Sequence, residues 1–169
     1  TESIVISGTE FSRYTIDIPS LEDTTYSSVV LYVVDQDIEV AISSICVDSD
    51  STDCDVGGSS DVSDGALDFS TGAFGGAVVG YDEVRDQTSY WFPAGAESFA
   101  GFANTNLDMY PLTFEAGGQV VVDAMVPSGG SASIYVRFEK APFPDVDPAY
   151  DTESIVISGT EFSRYTIDI

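Results

Sequence analysis

The chain has 169 residues, 43% of them apolar, with five Lys and Arg against twenty-nine Asp and Glu, no His, and a formal net charge of -24. That length suits one well-buried core. The charge repels nucleic acid and anionic lipid, and the missing His removes Ser–His–Asp, Cys–His and zinc-peptidase chemistry. No apolar run reaches eighteen residues, so no membrane-inserted helix is expected.

Residues 1–18, TESIVISGTEFSRYTIDI, recur without change as residues 152–169. Within them YTIDI alternates, placing Tyr14, Ile16 and Ile18 on one strand face, as the repeat places Tyr165, Ile167 and Ile169. Ile4, Ile6, Ile155 and Ile157 form a second apolar alternation in each copy. Chance does not produce such identity, and a strand does not require it. Three origins fit: a tandem array with a period of 151 residues, a strand duplicated to complete a fold, or a chain continuing into its neighbour along a filament. Each makes the segment interior β-structure whose two copies compete for one place in a sheet.

Further strands are expected at 27–34 (SSVVLYVV), 38–45 (IEVAISSI), 119–126 (QVVVDAMV) and 131–138 (SASIYVRF). Asp35 and Asp37 mark a turn between the first two. Ser128–Gly130 reads as a hairpin connection between the last two, its glycines supplying positive φ. No eleven-residue window has a capped helical period. The expectation is an all-β, antiparallel two-sheet sandwich, jelly-roll-like, completed across the repeat joint by the duplicated segment.

The spacing of Cys46 and Cys54 suits a disulfide across a short acidic loop, in keeping with export to an extracellular or cell-surface setting. Residues 48–65, rich in Asp, Ser and Gly, read as an acidic linker or calcium loop. If they are a linker, residues 1–47 are the C-terminal strands of one module and 66–151 the N-terminal strands of the next, with 152–169 shared onward.

Asp48, Asp50, Asp53 and Asp55 could turn several oxygens toward Ca²⁺, and Asp145 and Asp147 in PDVDPAYD are weaker candidates. The bland reading is a solvated acidic surface suited to salty surroundings. Trp91, the only tryptophan, could stack on a sugar ring or simply pack at a sheet. Arg137, one of few cations, could orient a ligand or pair with a carboxylate. Carboxylate pairs are unavoidable among twenty-nine acids and do not by themselves argue for a glycosidase, so no enzyme is expected.

The stretch from FAGFANTNLDMYPLTFEAGGQVVVDAMVPSGG through DTESIVISG, followed by YTIDIPSLEDTTYSSVVLYVVDQDIEV, resembles β-sandwich modules of marine bacterial polysaccharide-degrading and cell-surface proteins. The resemblance implies a secreted module, carbohydrate-binding in some relatives and often calcium-stabilised. The acidity and near-identical repeats also resemble extender regions of bacterial surface adhesins and fibres. Two functions are therefore expected: a repeat or protomer of an extracellular fibre, whose partners are copies of itself or adjacent repeats, or a non-catalytic module that binds polysaccharide.

Overall fold

The structure, a computed structural model, describes residues 21–50, 52, 54, 65–84 and 86–168. Its strands are β1 (Leu21–Tyr26), β2 (Ser28–Val33), β3 (Val40–Asp48), β4 (Ala73–Phe74), β5 (Val78–Asp82), β6 (Gln87–Trp91) and β7 (Gly101–Ala103). They continue with β8 (Leu112–Phe114), β9 (Gln119–Met125), β10 (Ser131–Glu139), β11 (Ala149–Asp151), β12 (Ile155–Ser158) and β13 (Ser163–Asp168). One sheet runs β11-β10-β2-β7-β4, with β12 beside β10 on the same side as β11. The other runs β13-β9-β3-β6-β5, and β1 pairs with β8 in a small ribbon. Every ladder is antiparallel, so the fold is the all-β, two-sheet sandwich the alternation predicts.

Period-two patterning decides which side chains fill the space between sheets. Along β10, Ala132, Ile134, Val136 and Phe138 point inward and are buried, while Ser133, Tyr135 and Arg137 face outward. Val120, Val122 and Ala124 of β9 meet them from the other sheet. β3 breaks strict alternation: Ile42 and Ile45 are both buried although they stand three positions apart, an odd step that would put them on opposite faces. A bulge between Ile42 and Ser44 resets the phase, and the exposed Ser43 is the extra residue.

The Ser128–Gly130 connection is not a hairpin. It joins β9 of one sheet to β10 of the other, an arch whose strands pack face to face rather than hydrogen-bond. Its turn is closed by the Gly129 amide donating to Val126 O at 2.9 Å, with Gly129 at φ 80°. The Asp35–Asp37 turn likewise carries β2 of one sheet to β3 of the other, and its carboxylates cap neighbours: Asp35 accepts from Ser133 N at 2.6 Å and Asp37 from Ala94 N at 2.9 Å. An arch and a hairpin use the same turn residues, which is why the sequence pattern does not separate them.

Strands on both sides of the acidic stretch share the two sheets. The chain leaves β3 at Asp48 and returns along the same strand, with Val47 N donating to Gly65 O and Leu67 N to Ile45 O, each at 2.9 Å. Residues 48–65 thus begin and end at one place within a single sandwich. The expected disulfide pins the excursion: Cys46 and Cys54 are bonded, with Cα atoms 5.8 Å apart. With the two cysteines eight positions apart, loop-closure entropy puts the bond's worth at roughly 2–3 kcal/mol. Replacing both cysteines by Ser should therefore lower unfolding free energy by about that much in urea titrations; an unchanged midpoint would show that the excursion is held by its other contacts.

Candidate functional site: the closing segment

The C-terminal copy of the duplicated segment lies inside the sandwich. β12 takes the edge of one sheet, with Ile155 opposite Ile134 and Ile157 opposite Ala132. β13 takes the edge of the other, with Tyr165 opposite Val122 and Ile167 opposite Val120. Gly159, at φ 88°, lets the chain turn across the gap between the sheets. The segment therefore closes one open side of the sandwich from both layers.

All four described apolar residues expected to form the assembly strand are buried: Ile155 and Tyr165 nearly so, Ile157 and Ile167 with no exposed surface. Burying four such side chains stabilises by roughly 6–12 kcal/mol as an upper estimate. Whole domains are stable by only about 5–15 kcal/mol. The segment is thus a required part of the core and not an accessory. The equivalent residues Ile4, Ile6, Tyr14, Ile16 and Ile18, together with Ile169, lie outside the described residues.

Polar contacts fix its register. Thr152 N donates to Val136 O at 2.9 Å, and Thr152 Oγ1 accepts from Val136 N at 3.0 Å. The Tyr165 hydroxyl accepts from Ser158 N and donates to Ser158 O, both at 3.1 Å, tying β13 to β12 across the sheets. Val126 N donates to Gly159 O at 2.9 Å, anchoring the crossing to the β9 arch.

Arg164 supplies a charged clamp that the reading of the sequence overlooked. Its Nε and Nη2 donate to the two carboxylate oxygens of Asp123 at 2.8 and 2.7 Å, a bidentate pair joining β13 to β9. Hydrogen bonding to Asp123 raises the Arg164 guanidinium above its ordinary value, against a smaller opposing effect of burial. Ser44 Oγ also donates to Asp123 at 3.0 Å, so one carboxylate links β3, β9 and β13. The available signal was that two of the five cations, Arg13 and Arg164, sit at the same position of the duplicated segment.

Trp91 and Arg137 do not come together. Tyr90 points into the core, so its neighbour Trp91 on β6 faces outward from one sheet. Arg137 faces outward from the other sheet. Trp91 is half-buried, and its indole Nε1 has no hydrogen-bond partner among the described residues. Arg137 donates to Asp151 at 3.0 Å and approaches Glu139 at 3.3 Å, so it serves as an ion-pair partner. Tyr135 beside it stacks on Tyr32 with centroids 4.8 Å apart and planes 12° apart, a cross-strand pair on the same outward face.

Among the acids proposed for Ca²⁺, Asp48 accepts from Gln119 Nε2 at 3.0 Å, and Asp50 accepts from Glu115 N at 2.5 Å. Both carboxylates thus bind the chain itself at the loop that enters β9. Asp145 and Asp147 are exposed on the loop after β10, apart from that pair in the sequence, and Asp53 and Asp55 lie outside the described residues. Among the described residues no group of three or more Cys, Asp or Glu converges as a metal-holding cluster.

Two phenols, that of buried Tyr90 and that of half-buried Tyr150, make the fold sensitive to alkali. Burial first, then the Asp68 carboxylate, pushes Tyr90 up to about 12. Burial first, then Glu153, Tyr26 and Asp151, pushes Tyr150 up to about 12. Their folded values exceed the ordinary 10.0, so their contribution is complete below that pH and is lost as pH rises toward 12. Melting temperature should fall across that window, with tyrosinate absorbance rising at the unfolding transition. Normal titration of every tyrosine in the still-folded protein near pH 10 would contradict this.

Comparison of the chain with protein-family models, with curated proteins and with solved structures finds no match. The site's meaning therefore rests on its geometry and on the duplication.

Proposed function

We propose that this chain is a structural repeat or protomer of an extracellular bacterial fibre or adhesin, joined to its neighbours by tandem linkage or by strand exchange. One observation carries the reading: the segment that closes both sheets is present twice in a chain that offers one described place for it. The second copy, identical in sequence, is a chemically matched partner for the same place in an adjacent module.

Energetics favour tethered over free exchange. The copies have identical side chains, so filling a neighbour's site yields no contacts beyond those of filling one's own. Association between separate chains also costs translational and rotational entropy. Exchange between modules is therefore strongest where a covalent tether raises local concentration or where adjoining surfaces bury further area. Tandem continuation supplies the tether.

Light scattering after size exclusion, with electron microscopy, tests this on the full chain and on residues 1–151 in parallel. Because untethered exchange gains no contacts and costs association entropy, elongated species are expected from the 169-residue chain only at high concentration, where mass action offsets that cost, and discrete monomers from the shorter one throughout. Monomers of both at every concentration would refute exchange between chains.

A further inference from the structure

Two strand ends decide whether the N-terminal copy can serve its own chain. β13 ends with Asp168 opposite Gln119, and β1 begins with Leu21 opposite Phe114. Phe114 and Gln119 are the two ends of one tight connection between β8 and β9, closed by Gly117 N donating to Phe114 O at 3.1 Å. β13 runs toward that turn and β1 runs away from it. A residue 17 standing where Asp168 stands would need only residues 18–20 to reach Leu21. That link parallels the four residues, 115–118, that join the partner strands.

We infer that the place held by residues 155–168 accepts residues 4–17 of the same chain as its alternative occupant, so that the body 19–151 is a circularly permutable unit that can be closed from either end. Both tethers are short: the C-terminal copy follows β11 directly, and the N-terminal copy precedes β1 by the three-residue link. Each copy is thus held at high effective concentration near one site. The contacts that fix the register are reproducible from either side. Thr1, Ser7, Arg13 and Tyr14 are the counterparts of Thr152, Ser158, Arg164 and Tyr165. In an array each segment would lie between two bodies, able to close the one before it or the one after it. The inference concerns a single domain and holds whether or not chains assemble, so its failure is separable from that of the fibre reading.

The test places a charge in one copy or both: Ile157→Asp, Ile6→Asp and the double variant, all in the 169-residue chain. Either single variant should melt within a few degrees of the parent, because the intact copy closes the sandwich. The double variant should lose its cooperative transition. In Ile157→Asp, amide hydrogen exchange should show residues 4–17 newly protected, with melting independent of protein concentration. Collapse of Ile157→Asp to the level of the double variant, with Ile6→Asp silent, would overturn the inference. So would absent protection of residues 4–17, and melting of Ile157→Asp that rises with concentration would refute closure within one chain.

Discussion

Residues 19–151, stripped of both copies of the segment, are expected to show no cooperative unfolding and no fixed near-ultraviolet circular dichroism. Truncation removes the burial of Ile155, Ile157, Tyr165 and Ile167, an upper estimate of roughly 6–12 kcal/mol against total domain stabilities of about 5–15. It also uncovers the edges of β9 and β10, leaving backbone donors and acceptors beside an exposed apolar interior. Asp123 loses its Arg164 partner as well. Residues 19–169, which keep one copy, should fold and melt cooperatively. Adding the eighteen-residue peptide TESIVISGTEFSRYTIDI to the truncated body should restore structure in proportion to peptide concentration. Melting of 19–151 within a few degrees of 19–169 would show that the segment contributes little, contrary to its burial.

The second large effect is expected at the centre of the core. Phe138 is fully buried, and its ring packs edge-on against Phe114 at 5.1 Å and Tyr26 at 6.0 Å. These three rings join β10 of one sheet to the β1–β8 ribbon, so the cavity left by truncation has walls on separate elements that cannot easily close together. Phe138→Ala should cost about 3–5 kcal/mol. Val84→Ala, at a residue 89% exposed, should stay within about 0.5 kcal/mol. Urea unfolding of the pair, with slopes compared, would check both. Similar losses at the two sites would mean that the core is not where the burial pattern places it.

Residue-level alternation made the inward faces of β10 and β13 legible: Ile134, Val136, Phe138, Tyr165 and Ile167 are buried as their spacing predicts. The disulfide was equally legible, because two cysteines eight positions apart in a chain without His have few other uses. Strand partnership was not. A buried face is the same whether the next strand lies beside it or across the core, so the Asp35–Asp37 and Ser128–Gly130 turns gave no sign that they cross between sheets. Short strands such as Ala73–Phe74 and Gly101–Ala103 carry too few residues for any period to register.

The candidate site was legible in part. Duplication identified the segment, and alternation identified which of its residues are buried. The Arg164–Asp123 clamp depends on tertiary proximity of residues 41 apart in sequence and had no local pattern. Trp91 and Arg137 drew notice by rarity alone, and rarity says nothing about which face of a sandwich a residue occupies.

The ladders also set an order in time. Apart from the β5–β6 and β10–β11 pairs, the sheets are stitched largely from residues far apart along the chain; Ser28 of β2 lies opposite Glu139 of β10, 111 residues later. Such topology folds slowly, because loop entropy is lost before most contacts form. As the chain is synthesised, β2 and β3 emerge early and wait for β9 and β10, exposing valine-rich strands in the interval. The N-terminal copy of the closing segment is already present during that wait, whereas the C-terminal copy emerges only after β9 and β10. A body built this way meets its first chance of closure from one end and a later one from the other, and the dense negative charge of the chain discourages neighbouring nascent strands from pairing in the meantime.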